Sequence, residues 1–595
     1  MGKEELHGAA KAIAVGVLVL VVLTLTFSSF TVLSGSRFAN ESTLQTSASS
    51  GVGWILSPGG NFPTYLGSIQ RTDNASEGGG ILNPTNTPSL QRLWHFGTGA
   101  TIATQPIVAN GIVYFGSWDG YEYALYATNG TLRWKTFLGL ESPNPSCGMG
   151  SLGITSTATY AGAYLFVNGG TPTLFVLNSS TGKMLWNLGL GGPAPAGYYL
   201  WSSPLVYGSE AYVGISSECD GPLVPAGLAE ISTKTHHVVS FFNSSVPNPN
   251  GSSIWGSPSL NVSSNTIYVT TGNAYRKLSS TYGESLISLN ASTLQVEHSW
   301  SVPLVQRVAD SDFGSTPTLF TPKGGPAMVA AINKNGYLYV WYQSNLTLKW
   351  SDQVSTETSI TSAAFAANRL YVYSPSTVIN GIAYNASIRA INPLTGAYLW
   401  QVGLGRHFVG YSAPIWFNGM LFVAANTQLL VLNSANGDIL KTFTWNLGGQ
   451  IFPSPSMSRS EVFVAAGSDL TALDLPLTVS AKVVANGSGN TETFSATVRG
   501  GLPPYAYNWS FGDGTYSSAA SPSHMYSGPG TYHATLDVTD LAHSSATAKL
   551  TPIVSGPVNI NLTGMNSSVA VDAFSASNPG QQPGSLFLIA RPRSV

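Results

Sequence analysis

Charge is scarce in this sequence. Only 9% of its 595 residues are Asp, Glu, Lys or Arg, against about a quarter in ordinary soluble domains. The formal net charge is -2, so no basic field exists to neutralise a phosphate backbone, and nucleic-acid binding is excluded. Cysteine is scarcer still, at two residues, Cys147 and Cys219. There is no Cys-x-x-Cys-His for a covalent haem. The nine histidines include no pair at metal-ligand spacing, because His236 and His237 are neighbours and on a strand would face opposite sides. No zinc site is inferred. A Gly-x-Ser-x-Gly elbow before a helix is also missing, so a Ser/His/Asp hydrolase has no signature here.

Long apolar runs are almost absent too. The one exception, Ala12 to Leu33, is just long enough to cross a bilayer, which takes about 20 residues. Lys3 and Lys11 precede it and Arg37 follows, which places the N-terminus in the cytoplasm and the bulk outside. An uncleaved signal anchor is expected over residues 1–35, with a cleaved signal peptide as the rival. Ser, Thr, Asn and Gly dominate residues 36–88, which read as a spacer between membrane and globular part. With low charge, a polar surface is made from Ser, Thr and Asn. Sequons recur, among them Asn129, Asn178, Asn290 and Asn345, and glycosylation is expected if the chain is secreted.

What the sequence does have is a beat, repeated over residues 89–476. A short strand with Pro or Ala opens it, as in Gln105-Pro106-Ile107-Val108, Ser203-Pro204-Leu205-Val206, Ser257-Pro258-Ser259-Leu260, Thr316-Pro317-Thr318-Leu319 and Ser454-Pro455-Ser456-Met457. A second apolar strand follows, then a turn and Trp, as in Asn129-Gly130-Thr131-Leu132-Arg133-Trp134 and Thr395-Gly396-Ala397-Tyr398-Leu399-Trp400. Eight openings are visible. The eighth closing strand, Leu93-Trp94-His95-Phe96, lies before the first opening, so the ring must close through it. Units of roughly 40 to 60 residues with four short strands cannot bury both faces alone and stack radially. The expected fold class is all-β: an eight-bladed β-propeller, an immunoglobulin-like β-sandwich and one N-terminal transmembrane helix.

The sandwich is read from residues 477–555. The stretch Trp509-Ser510-Phe511-Gly512-Asp513-Gly514-Thr515, followed by Gly530-Thr531-Tyr532 and Leu536-Asp537-Val538-Thr539-Asp540, closely resembles a PKD domain, a module of extracellular proteins. Trp509 and Tyr532 are expected in its core, with Gly512-Asp513-Gly514 as a tight hairpin turn. Residues 556–595 carry no assignable pattern.

The beat resembles the pyrroloquinoline quinone (PQQ) repeat family, which includes quinoprotein alcohol dehydrogenases and non-catalytic relatives. Ile254-Trp255-Gly256-Ser257-Pro258 with Thr271-Gly272-Asn273 is similar to the stretch that carries a calcium-binding Asn, which implies Asn273 as a calcium and cofactor ligand. Asp310-Ser311-Asp312-Phe313-Gly314 is similar to the segment of the catalytic Asp, best matched by Asp312, which also serves as a tentative calcium ligand. Asn333-Lys334-Asn335-Gly336 resembles the loop whose basic residue contacts the quinone, here Lys334. Glu218, or Asp220 two positions on, lies near the place of the family's calcium-binding Glu. Because strands alternate in direction, all of these positions fall on one rim of the ring.

The family's two adjacent cysteines, whose disulfide covers the cofactor, are not present; Cys147 stands alone within Ser146-Cys147-Gly148-Met149-Gly150. Cys147 and Cys219 lie on adjacent repeats and one face, which suits a structural disulfide outside the cytosol. With that lid missing, the main expectation is a membrane-anchored propeller at a prokaryotic (archaeal) cell surface that binds or scaffolds a cell-surface protein or glycan, with no cofactor. The alternative is a PQQ- and calcium-dependent alcohol or sugar dehydrogenase.

Overall fold

A computed structural model describes residues 61–75, 82–142, 144, 150–192, 197–248, 250–273, 282–405, 412–444, 451, 453–485, 490–501, 504–541, 543–554, 569–574 and 587–592. The expected membrane span, residues 12–33, lies outside them. Among the described residues no helix is long and apolar enough to cross a membrane. The only helices there are two 3-10 turns, Thr87–Ser89 and Leu304–Gln306. The rest is strand and turn.

Eight antiparallel sheets follow one another between residues 91 and 474. Seven are built from consecutive strands; the first, for example, runs Ile107–Ala109, Ile112–Gly116, Tyr121–Tyr126 and Leu132–Phe137. The eighth takes Ser456–Ser458, Glu461–Ala466 and Asp469–Asp474 and adds Gln91–Gly97 as its outer strand, with Phe96 paired to Leu470 and His95 to Thr471. Chain start and chain end of the ring are thus hydrogen-bonded to each other. Apolar side chains pack between neighbouring sheets: Ile107, Tyr114 and Ala124 of the first meet Ile154, Leu165 and Val167 of the second.

The beat has a physical cause at both ends. At the inner end, a Ser or Thr before the Pro or Ala supplies a hydroxyl to the preceding sheet in most repeats, Gln105 and Ala413 being the exceptions. The backbone N–H of Gln105 donates to Thr157 Oγ1 (2.9 Å), Thr157 to Ser203 Oγ (3.0 Å), Ser203 to Ser257 Oγ (2.9 Å), Ser257 to Thr316 Oγ1 (3.0 Å) and Thr316 to Ser362 Oγ (2.9 Å). Inner strands are sheet edges, and this ladder satisfies amides that would otherwise be buried unpaired. At the outer end, Trp indoles donate across to a turn carbonyl of the next sheet: Trp134 to Ser179 (3.0 Å), Trp350 to Pro393 (2.9 Å), Trp400 to Ser434 (3.0 Å). The turn glycine lies under that ring at positive φ; a Cβ on Gly182 (φ +71°) would sit 2.6 Å from Trp134.

Residues 61–75, placed in a spacer by their composition, are packed inside the ring. Their carbonyls accept the second amide of successive inner strands: Phe62 from Val108 (2.9 Å), Pro63 from Tyr160 (2.8 Å), Ile69 from Leu260 (2.9 Å), Gln70 from Leu319 (2.9 Å), Thr72 from Phe365 (2.9 Å) and Asp73 from Trp416 (3.0 Å). This strap therefore runs around the channel in the order of the sheets. It buries its backbone together with the side chains of Phe62, Leu66, Arg71 and Asp73. Asn61 Oδ1 accepts from Asn110, in a hairpin between first and second strands, so the strap lies toward the face opposite the loops that precede first strands and follow second strands.

After Pro476 the chain forms a sandwich. Thr478–Ala485, Thr491–Arg499 and Ser523–Met525 make one sheet; Tyr516–Ser517, Ala506–Ser510, Ala534–Thr539 and Ser545–Leu550 make the other. Trp509, Phe494, Phe511, Tyr526 and Leu536 fill the core, while Tyr532 is partly buried and stacks on Tyr526. Gly512 and Gly514 take the positive φ their turn requires, +85° and +90°. In the tail, Val569–Phe574 pairs with Phe587–Pro592.

Candidate functional site

One face of the ring collects acidic, basic and amide side chains from the third, fourth and fifth sheets. Asp312 enters from the crossover before Thr318–Phe320; Lys334 follows Met328–Ile332; Asn273 follows Thr266–Thr270. Lys334 Nζ lies 2.8 Å from Asp312 Oδ1 and 3.0 Å from Asp310 Oδ2. The Lys334 amide also donates to the Asp312 carbonyl at 3.1 Å, and Asn333 Nδ2 to the Ser311 carbonyl at 2.6 Å, so the two loops are fixed to each other through their backbones.

Asn273 Nδ2 donates to Asp310 Oδ1 (2.8 Å) and to Asp220 Oδ2 (3.1 Å). It is therefore Asp220, not Glu218, that reaches Asn273. Cys219 and Asp220 both adopt left-handed backbone, φ +54° and +55°, and this turn swings Asp220 to the cluster. Glu218 stays buried elsewhere, beside Asn144, whose Nδ2 donates to its carbonyl (3.2 Å), and near Glu141. Asp312 meets Lys334 and Trp255 rather than Asn273. Cys219 is disulfide-bonded; Cys147, the only other cysteine in the sequence, lies outside the described residues.

Trp255 is the member that residue-type reasoning passed over. Its Nε1 donates to Asp312 Oδ2 at 3.0 Å, and Lys334 Nζ stands 5.1 Å from its ring centroid. Its place in Ile254-Trp255-Gly256 is shared by aromatics in other repeats, Trp201, Tyr411 and Phe452, so residue type alone did not single it out.

The two aspartates are held differently. Asp312 is only 4% exposed; burial raises its pKa to about 7, with Asp310 and Asp220 adding to the rise and Lys334 opposing it. Burial also pushes Asp310 upward, but the Asn273 amide and the Lys334 ammonium outweigh it and hold Asp310 below the usual carboxylate range. Burial works against the Lys334 charge, yet Asp312 and Asp310 raise its pKa, so it stays protonated. Near neutral pH the site thus holds one fixed ion pair, Lys334 with Asp310, and one carboxyl poised to gain or lose a proton. Two carboxyls pushed apart in this way can divide structural and proton-transfer work.

The donor set was compared with the needs of a quinone and a hard cation. A flat aromatic face beside a fixed ammonium suits an anionic planar ring system. Oxygens of Asp220, Asp310 and Asn273 gathered at hydrogen-bond distance are the kind a calcium ion takes. Among the described residues no group of three or more His, Cys, Asp and Glu is already arranged around a metal position, so further oxygens would have to come from the ligand or water.

Comparison with known proteins places these observations. A PKD domain family matches residues 476–554. A PQQ-repeat family described as "Outer membrane protein assembly factor BamB" matches residues 124–217 and 384–479. A polyvinylalcohol dehydrogenase of Pseudomonas sp. is 23% identical over 365 residues, 54% of this chain and 56% of that protein; the chain thus spans little more than half of that relative's length. In fold, the structure is similar to a europium-containing methanol dehydrogenase, at TM-score 0.58 and 16% identity over 70% of this chain and 98% of the other. It is similar also to the quinohemoprotein alcohol dehydrogenase of Comamonas testosteroni, at TM-score 0.59 and 14% identity over 72% and 82%.

Proposed function

We propose that this chain, which is built of PQQ-like repeats and a C-terminal PKD domain, oxidises a hydroxyl-bearing substrate as a quinoprotein, on an eight-bladed ring. The observation that carries the reading is Asp312: a buried carboxyl with a pKa of about 7, hydrogen-bonded by Trp255 and set 2.8 Å from Lys334. PQQ, when bound with calcium, supplies the acceptor for two electrons. Lys334 and Trp255 would hold the quinone, and Asp220, Asn273 and Asp310 the calcium ion. Glu218 is too far committed to Asn144 and Glu141 to be the first choice.

Asp312 Oδ2 or Oδ1 takes the hydroxyl proton of the substrate. A general base works best when its pKa lies near the operating pH, and burial has brought Asp312 there. Lys334 keeps the ionised form of Asp312 accessible and fixes its rotamer; the Asp310 carboxylate, already paired, stays charged. Oxidation at the carbon needs both this proton removal and the separate acceptor. A location outside the cell, with residues 12–33 as anchor, is supported by the apolar run and by the disulfide at Cys219.

A second reading is favoured by one observation, the single Cys147 where quinoprotein dehydrogenases carry an adjacent pair: the same cluster would bind an anionic or polyol ligand, such as a cell-surface glycan, without turnover. Reconstitution decides. Purified protein is incubated with PQQ and calcium and assayed with an electron-accepting dye and an alcohol. A bound chromophore with turnover, lowered about 10²- to 10⁴-fold in Asp312→Asn, is expected; failure to retain PQQ at all overturns the redox reading and leaves the binding one.

A further inference from the structure

The crossover that delivers Asp310 and Asp312 also carries, at Leu304 and Val305, the two most exposed aliphatic residues among the described residues of the ring. Val305 is 96% exposed, Leu304 77%, and Val308 is half exposed. Such side chains are ordinarily turned inward or left to a mobile tip, but this knuckle is held firmly. Arg307 Nε lies 2.7 Å from Glu284 Oε2 and donates to the Val302 carbonyl at 2.9 Å. Glu284 is itself buried. The Gln306 amide donates to Pro303 O (2.8 Å), and Gln306 Oε1 accepts from the Tyr339 hydroxyl at 2.9 Å.

Two bonds tie the knuckle to the site itself. Asn335, next to Lys334, donates through Nδ2 to the Gln306 carbonyl at 3.1 Å. The Val308 amide donates to Ser311 Oγ, between Asp310 and Asp312, at 3.2 Å. The preceding crossover on the same face exposes another aliphatic, Val246. A charged floor therefore has an anchored apolar knuckle beside it, tied to both of its loops.

The geometry points to Leu304, Val305 and Val308 as a specificity element that seats the apolar body of an alcohol whose hydroxyl end reaches Asp312. This rests on the quinoprotein reading for its chemistry, while the apolar contact itself does not need the cofactor. A medium-chain primary alcohol is the class of substrate that matches an aliphatic lip beside a charged floor, in preference to methanol or a free sugar.

The test compares ethanol with 1-octanol in the PQQ- and calcium-loaded protein, for the wild type, Leu304→Ser/Val305→Ser and the control Val239→Ser on an outer strand. The expected wild-type kcat/KM is at least about tenfold higher for 1-octanol, the ratio falling toward one in the double variant and holding in the control. A ratio that is the same in wild type and double variant overturns the lip while the redox reading stands. If no alcohol is turned over, the redox reading falls, and saturation-transfer NMR with 1-octanol on the cofactor-free protein decides the lip: transfer lost in the double variant supports it, and equal or absent transfer overturns it.

Discussion

The indole of Trp94 donates to the carbonyl of Ala127 at 2.7 Å, and so the outer strand of the eighth sheet grips the first. Trp94 is the same device as Trp134 in the first sheet and Trp400 in the sixth, now spanning the seam. A Trp94→Phe change keeps most of the ring contact and removes the hydrogen bond, and is expected to cost about 1 kcal/mol in chemical denaturation. Gly130→Ala should cost at least as much. Gly130 has φ +68°, and a Cβ there would stand 2.5 Å from the Trp94 ring, so both strain and overlap oppose it.

Acid should stabilise this protein before it harms it. Burial raises Glu461 to about 8, with Asp474 adding; Glu230 to about 7, with Glu210 adding; and Asp474 to about 6. Asp73 and Glu122 are pushed well up by burial as well, Asp73 against the opposing pull of a Gln105 hydrogen bond. Each folded carboxyl keeps its proton at a pH where the unfolded chain has lost it. Stability therefore falls as pH rises from the ordinary carboxylate range, about 4, through 6 to 8. Asp310 and Asp513 run the other way: hydrogen bonds and Lys334 or His524 overcome burial and hold them low, Asp513 at about 2. Their contribution is lost only as pH drops through those lowered values. Thermal midpoints measured from pH 3 to 8 should peak near 4 to 5; a peak above 7 would contradict the assignment.

The pH dependence of the proposed reaction should report Asp312. In the wild type, kcat/KM with an alcohol is expected to rise with a midpoint near 7 as Asp312 loses its proton. Lys334 lowers that pKa, so Lys334→Met should move the midpoint upward, along with weaker cofactor retention. An unmoved midpoint would assign the profile to another group.

The strap should be as protected as the strands it lines. Phe62 and Val108 exchange backbone bonds at 2.7 and 2.9 Å, and Ala75 donates to Trp416 at 3.0 Å. Native-state hydrogen exchange should place amides of residues 62 and 75 with those of the inner strands. Gly67→Ala is expected to lose about 1 kcal/mol or more, since φ is +77° and a Cβ would lie 2.8 Å from the Phe62 ring.

Much of this was legible in the residues themselves. The Ser/Thr-Pro and Gly-to-Trp spacing encodes contacts between sheets, so eight openings and a displaced Trp94 strand report the sheets and their seam, and Gly512-Asp513-Gly514 with Trp509 reports the sandwich. Asp312, Lys334 and Asn273 were found on one rim because strand direction fixes which loops share a face. Three things were hidden. The strap gains much of its place through carbonyl groups, which every residue has, and its apolar anchors Phe62 and Leu66 sit within a Ser-, Thr-, Asn- and Gly-rich stretch that looks like linker. Which of the two carboxylates named, Glu218 or Asp220, reaches Asn273 was open in the sequence, because it is decided by two left-handed residues, Cys219 and Asp220, that re-aim the chain. Trp255 passed as one more core aromatic, since a repeat rich in Trp gives its indoles structural work elsewhere.

The strap also sets a clock on assembly. Residues 61–75 leave the ribosome before any sheet they line, and Gln91–Gly97 long before its partner Asp469–Asp474. A nascent chain can build sheets in turn, yet the strap meets its seventh-sheet partner only at Trp416, and the seam waits for residues 469–474. A chain without residues 61–75 would expose inner-edge amides, and one without residues 469–474 would leave the outer strand Gln91–Gly97 unpaired; both are ready templates for pairing with other chains. The ring thus acts as its own test of chain completeness, with intact molecules hiding an adhesive edge that truncated ones display.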